Sequence, residues 1–271
     1  MDNCIHGCEE RAVSDLVGTS IEAGVLTVTL RRPEKRNALS RPLIAELAQA
    51  FTQWRDRDGV VVAVLTGEGD KAFASGGDVK ELSALRGEAE TLAFAEDTRA
   101  AFDTIRRFPV PVVAALNGDA LGGGAELALA CDLRVAAHHA RIGFLQATLN
   151  ISTAWGGGTD LFRLVGPARA MRLLLAAETL DVDRAAGLGL VDAAAGRDEP
   201  FADALAAFVA PLAARPRQVA EAFKSLAVAH RCGLPASEMT AIETRAFART
   251  WVHADHWNAV EARFNRRTGG G

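Results

Sequence analysis

Apolar residues recur along the chain in two rhythms. Val25–Leu30 (VLTVTL) alternates and is rich in β-branched residues, which predicts a half-buried strand. Residues 60–67 (VVVAVLTG) and 112–118 (VVAALNG) are continuous apolar runs closed by a turn residue, the pattern of strands buried on both faces of a parallel sheet. DLRVAA, at 132–137, reads as a shorter strand. Helical spacing fills the intervals. Ser40 stands as an N-cap, Pro42 lies in the first turn, and Leu43, Leu47 and Phe51 share a face, so a helix is expected to run to about Asp56. A long helix is expected over 88–108, broken by Pro109 and Pro111. KAFASGGDVKEL (71–82) reads as a Gly/Ser loop entering a helix, and GGGAELALAC (122–131) opens another. Beyond about residue 158 helical segments dominate, at 168–177, 182–187, 201–214, 216–230, 235–250 and 257–266.

Strands alternating with helices at this spacing predict an α/β chain with a mostly parallel sheet. Without repeats or low-complexity linkers, the chain reads as one unit. It divides into a polar leader at 1–17, a βα core at 18–200, a helical C-terminal region at 201–267 and a short tail at 268–271. Of the 271 residues 49% are hydrophobic and 24% charged, enough for a large core. A net charge of −4 gives no nucleic-acid face. No apolar run reaches the ~20 residues of a membrane span, and the first residues lack the basic and apolar regions of a signal peptide. A cytoplasmic protein is therefore expected. Cys4, Cys8, Cys131 and Cys232 form no CxxC pair and have no matching Cys/His pair downstream, so no metal site is expected.

Two glycine loops carry the candidate chemistry. One holds Gly76 and Gly77, the other Gly122–Gly124, and each opens a helix. A helix N-terminus has unpaired N–H groups and the positive end of the dipole. Glycine lets a ligand oxygen approach such backbone without a Cβ in the way. Two N–H groups from separate loops can pinch one oxygen that becomes negative during reaction, an oxyanion hole. Each loop alone reads equally well as a close-packed strand–helix turn. A phosphate loop is disfavoured, because GxxxxGK[ST] is absent and Glu126 stands beside the glycines.

RRPEKRNALS (31–40), FASGGDVKEL (73–82), PVVAALNGDALGGGAELALACDLRVAA (111–137) and GLGLVD (187–192) occur in that order. On these motifs the chain resembles the crotonase superfamily, the enoyl-CoA hydratase/isomerase family, from about residue 18 to 267. The resemblance implies a crotonase-like spiral of ββα turns and C-terminal helices that build a trimer or a dimer of trimers. It also implies an acyl-CoA thioester substrate, with coenzyme A entering as part of the substrate and no separate cofactor. Carried onto this sequence, the oxyanion donors are the N–H groups of Gly77 and Gly123. Lys35, Arg36, Ala38, Ala74, Gly76 and Asp78 would lie along the coenzyme A moiety. Lys224 and Phe264 would border the same groove.

Family hydratases carry two glutamates. The first matches Glu126; the second lies twenty residues on, where this chain has Gln146. A glutamine can hydrogen-bond a water but cannot take its proton. Chemistry with one acid/base and an enolate hole fits better than full hydration: a double-bond shift, a decarboxylation or a retro-aldol-like cleavage. Trp155, in STAWGGG (152–158), also resembles the ethylmalonyl/methylmalonyl-CoA decarboxylase branch. It reads either as a wall of the substrate site or as a core aromatic. An ionised Glu126 would repel a malonyl carboxylate. A protein that binds CoA thioesters without catalysis is the third reading. Asp132 is expected to be structural. His138 and His139 are expected at the surface, and the cluster of Trp251, His253, His256 and Trp257 at a subunit contact.

Overall fold

The structure, a computed structural model, describes residues 16–268. β1 (Val17–Glu22) and β2 (Val25–Leu30) form an antiparallel hairpin. Ala23 and Gly24 turn it with φ of 46° and 82°, the paired positive values of a type I′ turn. Thereafter the chain repeats one unit. A long strand is followed by a short one, and then by one or two helices. After α1 (Arg41–Trp54), β3 (Val62–Gly67) and β4 (Ala72–Ala74) lead into α2 (Val79–Leu82) and α3 (Glu88–Arg106). Next β5 (Val112–Leu116) and β6 (Asp119–Leu121) lead into α4 (Gly123–Ala130). In the third unit β7 (Leu133–Ala136) and β8 (Arg141–Gly143) lead into α5 (Gly157–Val165) and α6 (Pro167–Ala176). β9 (Thr179–Asp181), α7 (Val182–Gly187) and β10 (Ala193–Ala194) close the core. The helices α8 (Phe201–Ala213), α9 (Arg217–Arg231), α10 (Ala236–Trp251) and α11 (Ala254–Thr268) follow.

The long strands make a six-stranded sheet in the order β1-β2-β3-β5-β7-β10, and the short ones a second sheet in the order β4-β6-β8-β9. Among the described residues, only the β1–β2 and β8–β9 pairs are antiparallel. This is the spiral that the motifs implied. The main sheet is covered on both faces, as the continuous apolar runs required. Ala63, Leu65, Val112, Ala114 and Leu116 join the large core, while Val62, Val64, Val113, Ala115 and Val135 pack with Val209 of α8.

The Ser40 Oγ accepts from the Leu43 N–H at 3.4 Å, so the expected cap stands; the helix ends at Trp54. The expected leader falls, up to residue 15, outside the described residues, and Val17 is the first residue of β1. The short strands β4, β6, β8, β9 and β10 and the helix α5 have no counterpart in the sequence reading.

Charge fastens α9 beneath α4. Arg231 donates to the carbonyls of Leu129 at 3.0 Å and Cys131 at 3.2 Å, at the C-terminus of α4. The Asp132 carboxylate accepts from the Val112 N–H at 2.8 Å and from the Lys224 ammonium. Lys224 is buried, and burial pulls its pKa down against the pull of Asp132. Its side chain is therefore spent inside the fold. Asp132→Ala should cost roughly 3–5 kcal/mol in urea denaturation, because a buried ammonium loses its counter-charge. Lys224→Met should cost less, and the double variant less than the sum.

Candidate active site

Glu126 lies in the first turn of α4 and is 2% exposed. Its Oε1 accepts from Gln146 Nε2 at 2.8 Å. Its Oε2 accepts from the N–H groups of Trp155 at 2.9 Å and Gly157 at 3.0 Å. Burial raises its pKa above the ordinary 4.5, opposed by these hydrogen bonds. The twenty-residue spacing thus does set Gln146 against Glu126. A short 3₁₀ turn after β8, Gln146–Leu149, presents the amide. Among the described residues the Gln146 Oε1 is buried without a hydrogen-bond partner. It is an acceptor left open beside the acid.

Trp155 holds the glycine loops together. A Cβ on Gly123 would run into its indole, and a Cβ on Gly77 would come within 3.1 Å of the indole and 2.6 Å of Leu82. The indole therefore lies against both glycines. Of the two readings of these loops, close packing accounts for the missing side chains: at both positions the space a Cβ would take holds Trp155. The two loops do meet. A Cβ on Gly76 would lie 3.2 Å from the Leu121 carbonyl and 3.6 Å from the Gly123 nitrogen. Among the described residues, neither the Gly77 N–H nor the Gly123 N–H donates a backbone hydrogen bond. Two open donors thus belong to neighbouring loops.

Residues that the sequence reading passed over hold the indole and its loop. Phe94 and Phe102 of α3 meet the ring edge-on, with centroids 6.0 and 5.8 Å away. Arg106, at the end of α3, donates to the Trp155 carbonyl at 2.9 Å and to Asp160 of α5 at 2.9 Å. Trp155 is therefore held by its N–H at Glu126 and by its carbonyl at Arg106. An arginine ending an otherwise amphipathic helix carries no motif, so only the fold exposes this role.

The expected coenzyme A strip comes together as two laced segments. Leu39 N–H donates to Gly76 O at 2.8 Å, Ser75 N–H to Arg36 O at 3.1 Å and Asp78 N–H to Leu39 O at 3.0 Å. Lys35, Arg36 and Ala38 thereby lie alongside Ala74, Gly76 and Asp78. The side chains of Lys35 and Arg36 are exposed. The Asp78 carboxylate caps α2 and pairs with Arg32 at 3.1 Å. Buried Asn37 donates to Ala72 O at 2.8 Å, and Asn117 donates to Gly69 O at 2.8 Å, pinning the start of β4. Neither asparagine was singled out from the sequence. His139 spends its Nε2 on the Asp70 carbonyl at 2.8 Å. Trp251 stacks with Phe247, His256 and Trp257 on the C-terminal helices. Phe264 is 63% exposed. No group of three or more His, Cys, Asp or Glu side chains that could hold a metal ion occurs among the described residues.

Similarity to known proteins follows the same outline. The family model for Enoyl-CoA hydratase/isomerase matches residues 20–268. A putative enoyl-CoA hydratase/isomerase of Bacillus subtilis is 34% identical over 242 residues, 87% of this chain and 89% of that protein. The crotonyl-CoA hydratase of Syntrophomonas wolfei is 38% identical over 174 residues, 63% of this chain and 65% of that protein, so the match spans just under two thirds of that relative. The crystal structure of an enoyl-CoA hydratase from Bacillus anthracis superposes with a TM-score of 0.86 at 28% identity, covering 93% of this chain and 96% of the other. Sequence motifs, ββα spiral and solved relatives agree, and the chain belongs to the enoyl-CoA hydratase/isomerase family.

Proposed function

We propose that this enzyme moves a proton at the α-carbon of an enoyl-CoA thioester, using Glu126 as its one carboxylate. The observation that carries this reading is the Gln146 amide hydrogen-bonded to Glu126 at 2.8 Å, where a second acid would stand. The thioester oxygen would lie at the open N–H groups of Gly77 and Gly123. In a double-bond shift, ionised Glu126 removes the α-proton of a 3-enoyl thioester. The C–H electron pair moves onto the thioester oxygen, and the hole holds the enolate. The pair then returns to form the 2,3 double bond, and the γ-carbon takes the proton back from Glu126. One acid completes the cycle with no atom gained or lost. Coenzyme A would run along the laced strip of Lys35, Arg36, Ala38, Ala74, Gly76 and Asp78, through backbone contacts and the two exposed cations.

The open Gln146 Oε1 favours a second reading, hydration of a 2-enoyl thioester. That atom accepts hydrogen bonds, so a water O–H satisfies it. Glu126 would take the water proton and return it to the α-carbon. The hydratase names of several relatives point the same way. Malonyl-type decarboxylation fits less well, since a substrate carboxylate would meet a carboxylate and a second bare acceptor. A homotrimer or hexamer is also part of the proposal. Phe223 of α9, Phe247 of α10 and Val252, just after α10, are 70%, 60% and 76% exposed, an apolar surface that a second copy would cover.

Glu126→Gln should lower turnover roughly 10²–10⁴-fold with thioester binding retained. The new amide can still accept both backbone N–H bonds, and a flipped Gln146 can accept from it. Unchanged turnover would remove Glu126 from the mechanism, and CoA-thioester binding with no turnover in the unaltered protein would favour a non-catalytic role. The assay panel is 3-enoyl-CoA isomerisation, crotonyl-CoA hydration and CO₂ release from ethylmalonyl-CoA.

The raised pKa sets two pH trends. Glu126 must be ionised to act as a base, so the rate should climb with pH through a midpoint above 4.5. In stability the sign is opposite. The folded chain keeps this proton to higher pH than the unfolded chain, so wild-type stability relative to Glu126→Gln should fall as pH rises from 4.5 through the raised value. Denaturation midpoints of the two proteins across pH measure this.

Gln146→Glu should raise crotonyl-CoA hydration, with the two carboxyl groups titrating as a pair. Light scattering at micromolar concentration should report a trimer or hexamer, and a monomer would contradict the assembly.

A further inference from the structure

We infer that Trp155 sets the upper limit on acyl-chain length, restricting the enzyme to short-chain acyl-CoA thioesters. The inference rests on the proposed seating of the thioester oxygen at Gly77 and Gly123. The indole lies against both of those glycines. An acyl chain leaving a carbonyl held there therefore starts out against the ring.

The ring cannot give way easily. Its backbone is fixed on both sides, the N–H at Glu126 and the carbonyl at Arg106. Arg106 is itself buried and paired with Asp160 at 2.9 Å. Phe94 and Phe102 back the indole edge-on, and Leu82 adjoins it at Gly77. Trp155 is 7% exposed, so the ring is surrounded rather than swung out over a mouth. Moving it would break two hydrogen bonds to charged groups or the contacts with both phenylalanines.

The same surroundings identify what the ring displaces. Leu82, Phe94 and Phe102 are apolar and reach in from two helices. Without the indole they would wall a dry space continuous with the glycine pair, suited to methylenes and to nothing charged. Trp155 is thus a specificity residue: it contributes no proton and no hole donor, and it occupies room that a longer chain would need. Chain length is accordingly governed from the loop that carries the backbone donors to Glu126, with α3 as the support.

The test is a binding series, by titration calorimetry, of saturated butyryl-, hexanoyl-, octanoyl- and decanoyl-CoA against wild type, Trp155→Ala and Trp155→Phe. Saturated thioesters report binding without turnover. Wild type should gain nothing beyond the shortest chains. Trp155→Ala should gain about fourfold per added methylene, the factor expected for burying each CH₂, or on the order of 10² between butyryl and octanoyl. Trp155→Phe should fall between and serves as the test if circular dichroism shows the alanine variant unfolded. Parallel length profiles in wild type and a folded variant, or a wild type that binds decanoyl-CoA better than butyryl-CoA, would overturn the role of Trp155 alone. A wild type that binds none of the four thioesters would overturn the functional reading beneath it.

Discussion

One buried carboxylate draws the candidate site together. Removing an ionised carboxylate from water is costly unless donors replace the water. Glu126 has three, all on the stretch from the end of β8 to the first residue of α5: the Gln146 amide and the N–H groups of Trp155 and Gly157. That segment could follow many paths over the surface. The need to satisfy Glu126 selects one, and in doing so delivers the indole to Gly77 and Gly123. Arg106 completes the arrangement from the other side of the loop through the Trp155 carbonyl. Glu126, Gly77, Gly123 and the Trp155 indole are therefore set by one local network, supported by α3 and α4.

Much of this was legible in the sequence, and the remainder was not for definite reasons. The strands that sit in the middle of the large sheet announced themselves because burial on both faces leaves an unbroken apolar run. Helices with a cap and a stripe did the same. Three-residue strands such as Ala72–Ala74 and Asp119–Leu121 are too short to show any period. The helix α5 begins with Gly157 and Gly158, which locally argue for a turn. In the site, the counted interval from Glu126 to Gln146 survived folding because the end of a helix, two short strands of separate sheets and the tight turns joining them occupy it.

The glycines carried two readings from the sequence, ligand approach and close packing. From sequence, a bare backbone beside an acid suggests room for a ligand. In the fold, the bareness at Gly77 and Gly123 is already used by an aromatic ring, and Gly124 is bare because the Ala74 carbonyl presses on it. What remains for a ligand is the open N–H, a property of the backbone rather than of the missing side chain. The two uses coexist because the N–H and the Cα hydrogens point in different directions. A glycine pair can thus serve packing on one side and hydrogen bonding on the other.

The attachment of α9 beneath α4 also bears on the order of events during synthesis. Arg231 caps the Leu129 carbonyl from 102 residues downstream, and Lys224 neutralises Asp132 from 92 residues downstream. α4 carries Glu126 at its other end. A ribosome that has released the glycine loops, the acid and Trp155 has still not released the groups that hold the far end of α4. Until α9 emerges, Asp132 lacks its ammonium partner and the last carbonyls of α4 lack their guanidinium. α4 is thus secured only late in translation, and a nascent chain stalled before α9 would expose an unsecured α4 to chaperones and proteases.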